Sequence, residues 1–198
     1  MNSENKIKVT LGIPTNRGLR PKMAESIFNL VARGGYDFHI ILATEGYTTS
    51  ENRNYITVKA LNNGSDYLLF SDDDMTFPPD TLDRLLEHQK EIIGVLSYSR
   101  KLPLQPTVQL LDGSVLKYGE APDKLFEVKA VGGGVLLIKM KVFTKIEQPF
   151  FNIKSHPSGF TLVGEDSWFC EKARDAGFKV YCEPSLSVGH LGEYNYSK

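Results

Sequence analysis

The chain has 198 residues, 41% of them hydrophobic and 24% charged, and its 23 basic and 24 acidic side chains leave a net charge of −1 at pH 7. A single domain of that length, spanning residues 1–198, buries roughly 70% of its unfolded surface and holds a core without cross-links. Near-neutral charge removes the strongest electrostatic reason to expect nonspecific binding to nucleic acid or to a membrane surface.

Taken in order, the elements alternate. Lys8 to Ile13 is a short β-rich run ended by Pro14-Thr15-Asn16-Arg17-Gly18, and Pro21 to Arg33 follows with helical spacing of Ile27, Leu30 and Val31 before Gly34-Gly35. Phe38 to Ala43 predicts a second strand, and Ser50 to Leu61 a helix with a Ser cap and Glu51 in its first turn, closed by Asn62-Asn63-Gly64. Tyr67 to Phe70 reads as the central strand, Pro78-Pro79-Asp80 as the start of a helix through Leu82, Leu85 and Leu86, and Ile92 to Ser97 as a further strand. This is β/α alternation with a mostly parallel sheet.

The second half is richer in strands. Thr107 to Leu111, Val115 to Tyr118, Phe126 to Val131 and Gly134 to Ile138 are β candidates, the first two around the Asp112-Gly113-Ser114 turn. Helices are expected at Lys139 to Ile146 and Glu165 to Ala176, then strands at Val180 to Cys182 and Ser185 to Val188. Cys170 and Cys182 sit among apolar neighbours and are too few for a disulfide framework, so free buried thiols in the reducing cytoplasm are expected. Met1 to Lys6 lacks the basic-then-apolar layout of a secretory leader, and no run approaches the ~20 apolar residues that span a bilayer, so no membrane insertion is expected.

Chemistry concentrates at Ser71-Asp72-Asp73-Asp74-Met75, directly after the apolar run Tyr67-Leu68-Leu69-Phe70. Parallel sheets open their ligand crevices at the carboxyl ends of strands, and three acids there call for a cation. Alternate residues of such a loop reach different targets, so one of Asp72 and Asp74 can meet a ribose hydroxyl and the other a divalent ion bridging a nucleoside diphosphate. A solvated turn is the plainer alternative.

Gly164-Glu165-Asp166 opens the amphipathic helix that carries Trp168 and Phe169, where acids also favour the helix dipole; held on a rigid helix end, Asp166 is the candidate base for a hydroxyl proton. His190, in Val188-Gly189-His190-Leu191-Gly192, is either a structural histidine or a metal ligand, and imidazole beside carboxylate tilts the choice from Mg²⁺ towards Mn²⁺. Arg53-Asn54 could serve a nucleotide or phosphate or be a solvated helix face, and Gly132-Gly133-Gly134 allows close backbone approach to a ligand or a plain bend. Arg100 and Lys101 leave another strand end and could face a diphosphate or lie on a surface loop.

At these residues the chain resembles a GT-A glycosyltransferase, in particular the family 2-like proteins common in bacterial and phage genomes. Leu11-Gly12-Ile13-Pro14-Thr15-Asn16 is similar to the nucleotide-binding first strand, and Phe70-Ser71-Asp72-Asp73-Asp74-Met75 to the extended Asp-X-Asp segment. Val131 to Ile138 resembles the glycine-bearing strand near the acceptor pocket, Gly164 to Cys170 the Glu-Asp motif with its helix, and Val188-Gly189-His190 the late metal-binding histidine. The resemblance implies an α/β, Rossmann-like GT-A domain whose mixed, mostly parallel central sheet is flanked by helices.

It further implies a soluble enzyme that moves a sugar from a nucleoside diphosphate sugar, UDP-sugar favoured, to an acceptor hydroxyl, inverting the anomeric centre. Asp72, Asp74 and His190 are its implied metal ligands for Mn²⁺ or Mg²⁺, Asp166 and Glu165 its catalytic acids, and Pro14, Thr15, Asn16, Glu45, Arg53, Asp72, Asp73 and Gly133 its donor-binding set. Thr44-Glu45-Gly46 stands where many family 2 enzymes carry paired Asp residues that read the base, which leaves the nucleobase open. The acceptor, whether glycan, lipid, protein or modified nucleobase, is open as well. Two other readings stand beside this one: nucleotidyl transfer on a similar sheet, and a noncatalytic nucleotide-sugar-binding module.

Overall fold

A computed structural model describes residues 6–100 and 102–192. The first half contains β1 (Lys8–Pro14), α1 (Pro21–Arg33), β2 (Asp37–Ala43), α2 (Thr49–Asn62), β3 (Tyr67–Ser71), β4 (Met75–Thr76), α3 (Thr81–Glu87) and β5 (Ile92–Val95). Then come β6 (Val108–Gln109), β7 (Phe126–Val128), β8 (Ala130–Val131), β9 (Val135–Lys139) and one 3-10 turn (Met140–Val142). The chain continues through β10 (Lys154–Ser155), β11 (Thr161–Val163), α4 (Glu165–Asp175), β12 (Val180–Glu183) and β13 (Gly189–His190).

Seven strands form one sheet in the order β2-β1-β3-β9-β5-β12-β7. The pairs β1/β2, β1/β3 and β5/β12 are parallel, whereas β9 runs against both β3 and β5, and β7 against β12. This is the mixed α/β sheet that the alternation predicts. Side chains alternate across it because successive strand residues point to opposite faces. Val9, Leu11, Ile13, Leu69, Ile93 and Leu137 pack on the α1 and α3 side, and Leu68, Phe70, Ile92, Leu136 and Ile138 on the α2 and α4 side. Both faces are buried, which is why the central strands read as apolar runs.

Gly12 shows how tightly the α2 side closes: a Cβ there would stand 2.4 Å from Ile56 Cγ2. The same layer holds an aromatic cluster in which Phe151 stacks on Phe169 at 4.8 Å between centroids and meets Phe70 edge-on at 5.3 Å. Each such contact adds about 0.5–1.5 kcal/mol beyond burial.

Several local expectations are corrected. The second helix is capped by Thr48, whose hydroxyl accepts from Glu51 N while Glu51 returns a bond to Thr48 N, a capping box two residues before the expected Ser cap. Lys139 to Ile146 is not a helix. Lys139 still pairs with Tyr67 in the sheet, and Val142, which ends a single 3-10 turn, is drawn into the core with Phe143 and Ile146 after it. Phe126 to Val131 divides at Lys129, because β7 pairs with β12 and β8 with β6.

Val115 to Tyr118 makes only one bridge, from Val115 to Gln109, and Ser185 to Val188 forms no strand. The paired residues are instead Gly189 and His190, which lie antiparallel to Thr76 and Met75. Lys101 lies outside the described residues, so the expectation for the Arg100-Lys101 pair concerns Arg100 alone. Among the described residues no helix is long and apolar enough to cross a membrane.

Candidate active site

A cleft of about 540 Å³ opens at the carboxyl ends of β1 and β3. Its walls include Pro14, Thr15 and Asn16 after β1, Asp72, Asp73 and Asp74 after β3, Glu165 at the start of α4, and His190 on β13. The structure therefore brings most of the expected residues to one cavity, across a sequence distance that only the sheet topology can close.

The Thr15 hydroxyl ties the two strand ends together. It donates to Asp73 Oδ2 and accepts from the backbone N–H of Arg17 at 3.1 Å and of Gly18 at 3.0 Å, which folds residues 15–18 over the cleft rim. Asp73 is thereby occupied on one oxygen by the β1 loop rather than facing open solvent.

Asp74 and His190 form the centre of the cleft. His190 Nδ1 lies 2.8 Å from the Tyr98 carbonyl oxygen, which can only accept, so Nδ1 carries the proton and Nε2 faces Asp74 Oδ1 at 3.2 Å. The pairing of β13 with β4 holds the ring there, together with a Leu191 N–H bond to the Asp74 carbonyl. Burial opposes the Asp74 carboxylate, yet the His190 bond and the charges of Arg100 and Arg20 hold it below the usual carboxylate range. That same bond raises His190 above the ordinary imidazole value.

Asp72 is turned elsewhere. Its Oδ1 accepts from Arg53 Nη2 at 2.6 Å, and Arg53 Nε stands 3.6 Å from Glu165 Oε1. Arg53 is 1% exposed, lies over the Phe70 ring at 4.9 Å, and leaves Nε and Nη1 without a hydrogen bond. Burial pushes both Asp72 and Glu165 above their usual values, with the Arg53 charge opposing the rise in each. The expected donor-binding Arg53 is thus a buried counter-ion beneath the cleft floor.

Its neighbour Asn54 is structural too, binding the Phe150 and Phe151 N–H groups at 2.9 and 3.0 Å and the Phe151 carbonyl at 2.7 Å. Gly133 belongs to the same layer. A Cβ on it would come within 2.6 Å of Arg53 Nη2, and its N–H donates to Asp166 Oδ2 at 3.2 Å. Close approach is therefore required here, to the Arg53 guanidinium.

Asp166 lines a second cleft, of about 330 Å³, with Thr107, Gln109, Gly132, Leu162 and Val163. Glu45 lies outside the walls of the larger cleft, its carboxylate accepting from Thr44 N at 2.9 Å. Arg20, which the sequence does not single out, lines the cleft and donates to the Leu191 carbonyl at 3.3 Å, and Arg100, left open in sequence between a diphosphate contact and a surface loop, bonds Asp74 Oδ2 at 2.7 Å. The basic residues of the β1 loop were the available signal for the first.

Among the described residues no three His, Cys, Asp or Glu side chains are grouped as a complete metal site. Asp74 and His190 nevertheless have the chemistry to hold a divalent cation: Nδ1 is fixed by the Tyr98 carbonyl, so Nε2, which here bonds Asp74, is the nitrogen that would ligate on giving up that contact, and such ions complete their shells with further oxygens and water. Asp72, expected as a further ligand or a ribose contact, lines the same cleft and gives Oδ1 to Arg53.

No family model and no curated protein sequence matches the chain. Solved structures do match its fold. A197 from STIV superposes with a TM-score of 0.67 at 17% identity, over 94% of this chain and 86% of that one. The structure of GalNAc-T7 with UDP, GalNAc and Mn²⁺ matches with a TM-score of 0.58 at 12% identity, over 97% of this chain but 44% of that one. A glucose-1-phosphate thymidylyltransferase from Bacillus anthracis matches with a TM-score of 0.51 at 11% identity, over 92% and 88%. With seven strands in this order, helices on both faces and these structural likenesses, the chain has a GT-A-like fold.

Proposed function

We propose that the chain is a metal-dependent glycosyltransferase that moves a sugar from a nucleoside diphosphate sugar, UDP-sugar favoured, to an acceptor hydroxyl with inversion. The observation that carries this reading is the Asp74–His190 pair, with a tautomer fixed by Tyr98, in a cleft walled by the β1 loop. GalNAc-T7, whose fold is similar, was solved with UDP, GalNAc and Mn²⁺.

In this reading Asp74 and His190 hold Mn²⁺ or Mg²⁺, which supplies charge neutralisation for the leaving diphosphate. Pro14, Thr15 and Asn16 form the wall for the nucleoside, with Arg20 on the same cleft. Asp166, on the neighbouring cleft, takes the acceptor hydroxyl proton as the acceptor oxygen bonds to the anomeric carbon. The bond from that carbon to the β-phosphate oxygen breaks, and the electron pair leaves with the nucleoside diphosphate. Glu165, in the donor cleft, orients the sugar, while Arg53 fixes Glu165 and Asp72 from below. Cys170 and Cys182, buried and free of any disulfide, fit a reducing compartment such as the cytoplasm.

The test is incubation with Mn²⁺ and a panel of sugar nucleotides, with and without candidate acceptors. Release of free nucleoside diphosphate supports glycosyl transfer; pyrophosphate release from nucleoside triphosphate and sugar phosphate replaces it with nucleotidyl transfer, and binding without turnover with a noncatalytic module. Anomeric NMR of the product reads the stereochemistry.

A further inference from the structure

Both oxygens of the Asp74 carboxylate are engaged by positively charged or donor-bearing side chains: Oδ1 by His190 and Oδ2 by Arg100 Nη1 at 2.7 Å. The two partners differ in freedom. His190 is anchored by a backbone carbonyl and a strand pair, whereas Arg100 reaches in from the end of a loop with 47% of its side chain exposed, onto a carboxylate that is 9% exposed. A divalent ion bound at Asp74 would stand within a few ångströms of the Arg100 guanidinium. Like charges that close repel strongly even at the effective dielectric of a protein surface, and the double charge of the ion doubles the effect. The guanidinium and the ion therefore compete for one carboxylate.

Arg100 also lines the same cleft as Thr15 and Asp73, so leaving Asp74 does not take it out of the cavity. A planar guanidinium with its fork of N–H donors matches phosphate oxygens as well as it matches a carboxylate.

We propose that Arg100 is the resident counter-ion of Asp74, that it competes with the divalent cation for this carboxylate, and that on binding of cation and donor its guanidinium moves to the donor's diphosphate. The arginine keeps the acidic centre neutral while the cleft is empty and couples entry of the cation to entry of the anion. Cation alone must displace Arg100 without giving it a new partner; cation together with a diphosphate supplies one. The two ligands therefore bind cooperatively, with Arg100 as the linking residue. The inference rests on the functional reading above for the cation at Asp74 and for the nature of the anion.

The experiment compares wild type with Arg100→Gln by calorimetric titration, first with MnCl₂ alone and then with UDP, GDP and CDP at saturating Mn²⁺, with Asp74→Asn as the control that lacks the carboxylate. The variant is expected to bind Mn²⁺ about fivefold more tightly than wild type, the loss of one competing partly exposed ion pair, and to bind the nucleoside diphosphate about tenfold more weakly. Opposite signs in one variant are the signature, because misfolding weakens both. Mn²⁺ binding that is unchanged or weaker in Arg100→Gln overturns the proposal. Should Arg100→Gln gain Mn²⁺ affinity while wild type releases no nucleoside diphosphate from any sugar nucleotide, the counter-ion role stands and the glycosyltransferase reading falls.

Discussion

Glu165 and Asp166 are consecutive in the chain yet line different clefts, Glu165 the larger one with Asp72 to Asp74 and Asp166 the smaller one with Thr107 and Leu162. The first turn of α4 thus gives one acid to each of two neighbouring cavities, and the proposed roles of the two acids separate accordingly. Asp166→Asn is expected to lower kcat by about 10²–10⁴, the usual contribution of a general base, with donor affinity near wild type. Glu165→Gln is expected to weaken donor binding first. Steady-state kinetics with equilibrium donor binding checks both, and equal losses of both properties in both variants count against the division.

Arg53 should be the most stability-critical charged residue of the site. Arg53→Met leaves Asp72 and Glu165 without their shared counter-ion, and breaking a buried pair in this way costs about 3–5 kcal/mol. Urea unfolding at pH 7 measures it. A loss under about 1 kcal/mol would mean that Arg53 is not the counter-ion described.

Gly133→Ala tests the same layer from the opposite side. Its new Cβ would lie 2.6 Å from Arg53 Nη2, a side chain with no exposed route of escape, so a loss of about 1–3 kcal/mol is expected from overpacking. A variant as stable as wild type would show that the arginine relaxes freely.

Glu183 supplies a pH-dependent term away from the site. Burial raises its carboxyl, but bonds from the Ser185 hydroxyl and N–H and from His88 Nε2 at 2.6 Å outweigh this and hold it below the ordinary glutamate value of 4.5. A depressed folded value stabilises above the unfolded pKa and ceases to do so as pH falls through the folded one. Glu183→Gln should therefore cost about 1.5–3 kcal/mol at pH 7, and the gap from wild type should close below pH 4.5. Denaturant melts across that range read it directly; a gap independent of pH would refute the assignment.

The parts of the fold legible in the sequence are those fixed by local pattern and burial. The first five main-sheet and helix units were readable because strands buried on both faces become apolar runs and α1 places Ile27 and Leu30 on one side. What escaped depended on distant partners. Lys139 to Ile146 carries helical spacing, yet its first residue is held in the sheet by Tyr67 and its aromatic residues by the core. The strand expected at Ser185 to Val188 falls instead on Gly189 and His190, because its place is set by pairing with the distant two-residue β4.

The site divides in the same way. The acids and His190 stand out by residue type and position, but the Tyr98 carbonyl that selects the histidine tautomer has no sequence signature. Arg53 looked like a ligand-binding residue because its pairing with Asp72 and Glu165 exists only once β3, α2 and α4 are assembled.

The most direct measurement is Mn²⁺ binding in the presence of UDP, followed by calorimetry or by the manganese EPR signal, for wild type, Asp74→Asn and His190→Ala. The account predicts a single tight site in wild type that is lost in Asp74→Asn and weakened about 10- to 100-fold or more in His190→Ala. Undiminished Mn²⁺ binding in Asp74→Asn would contradict it.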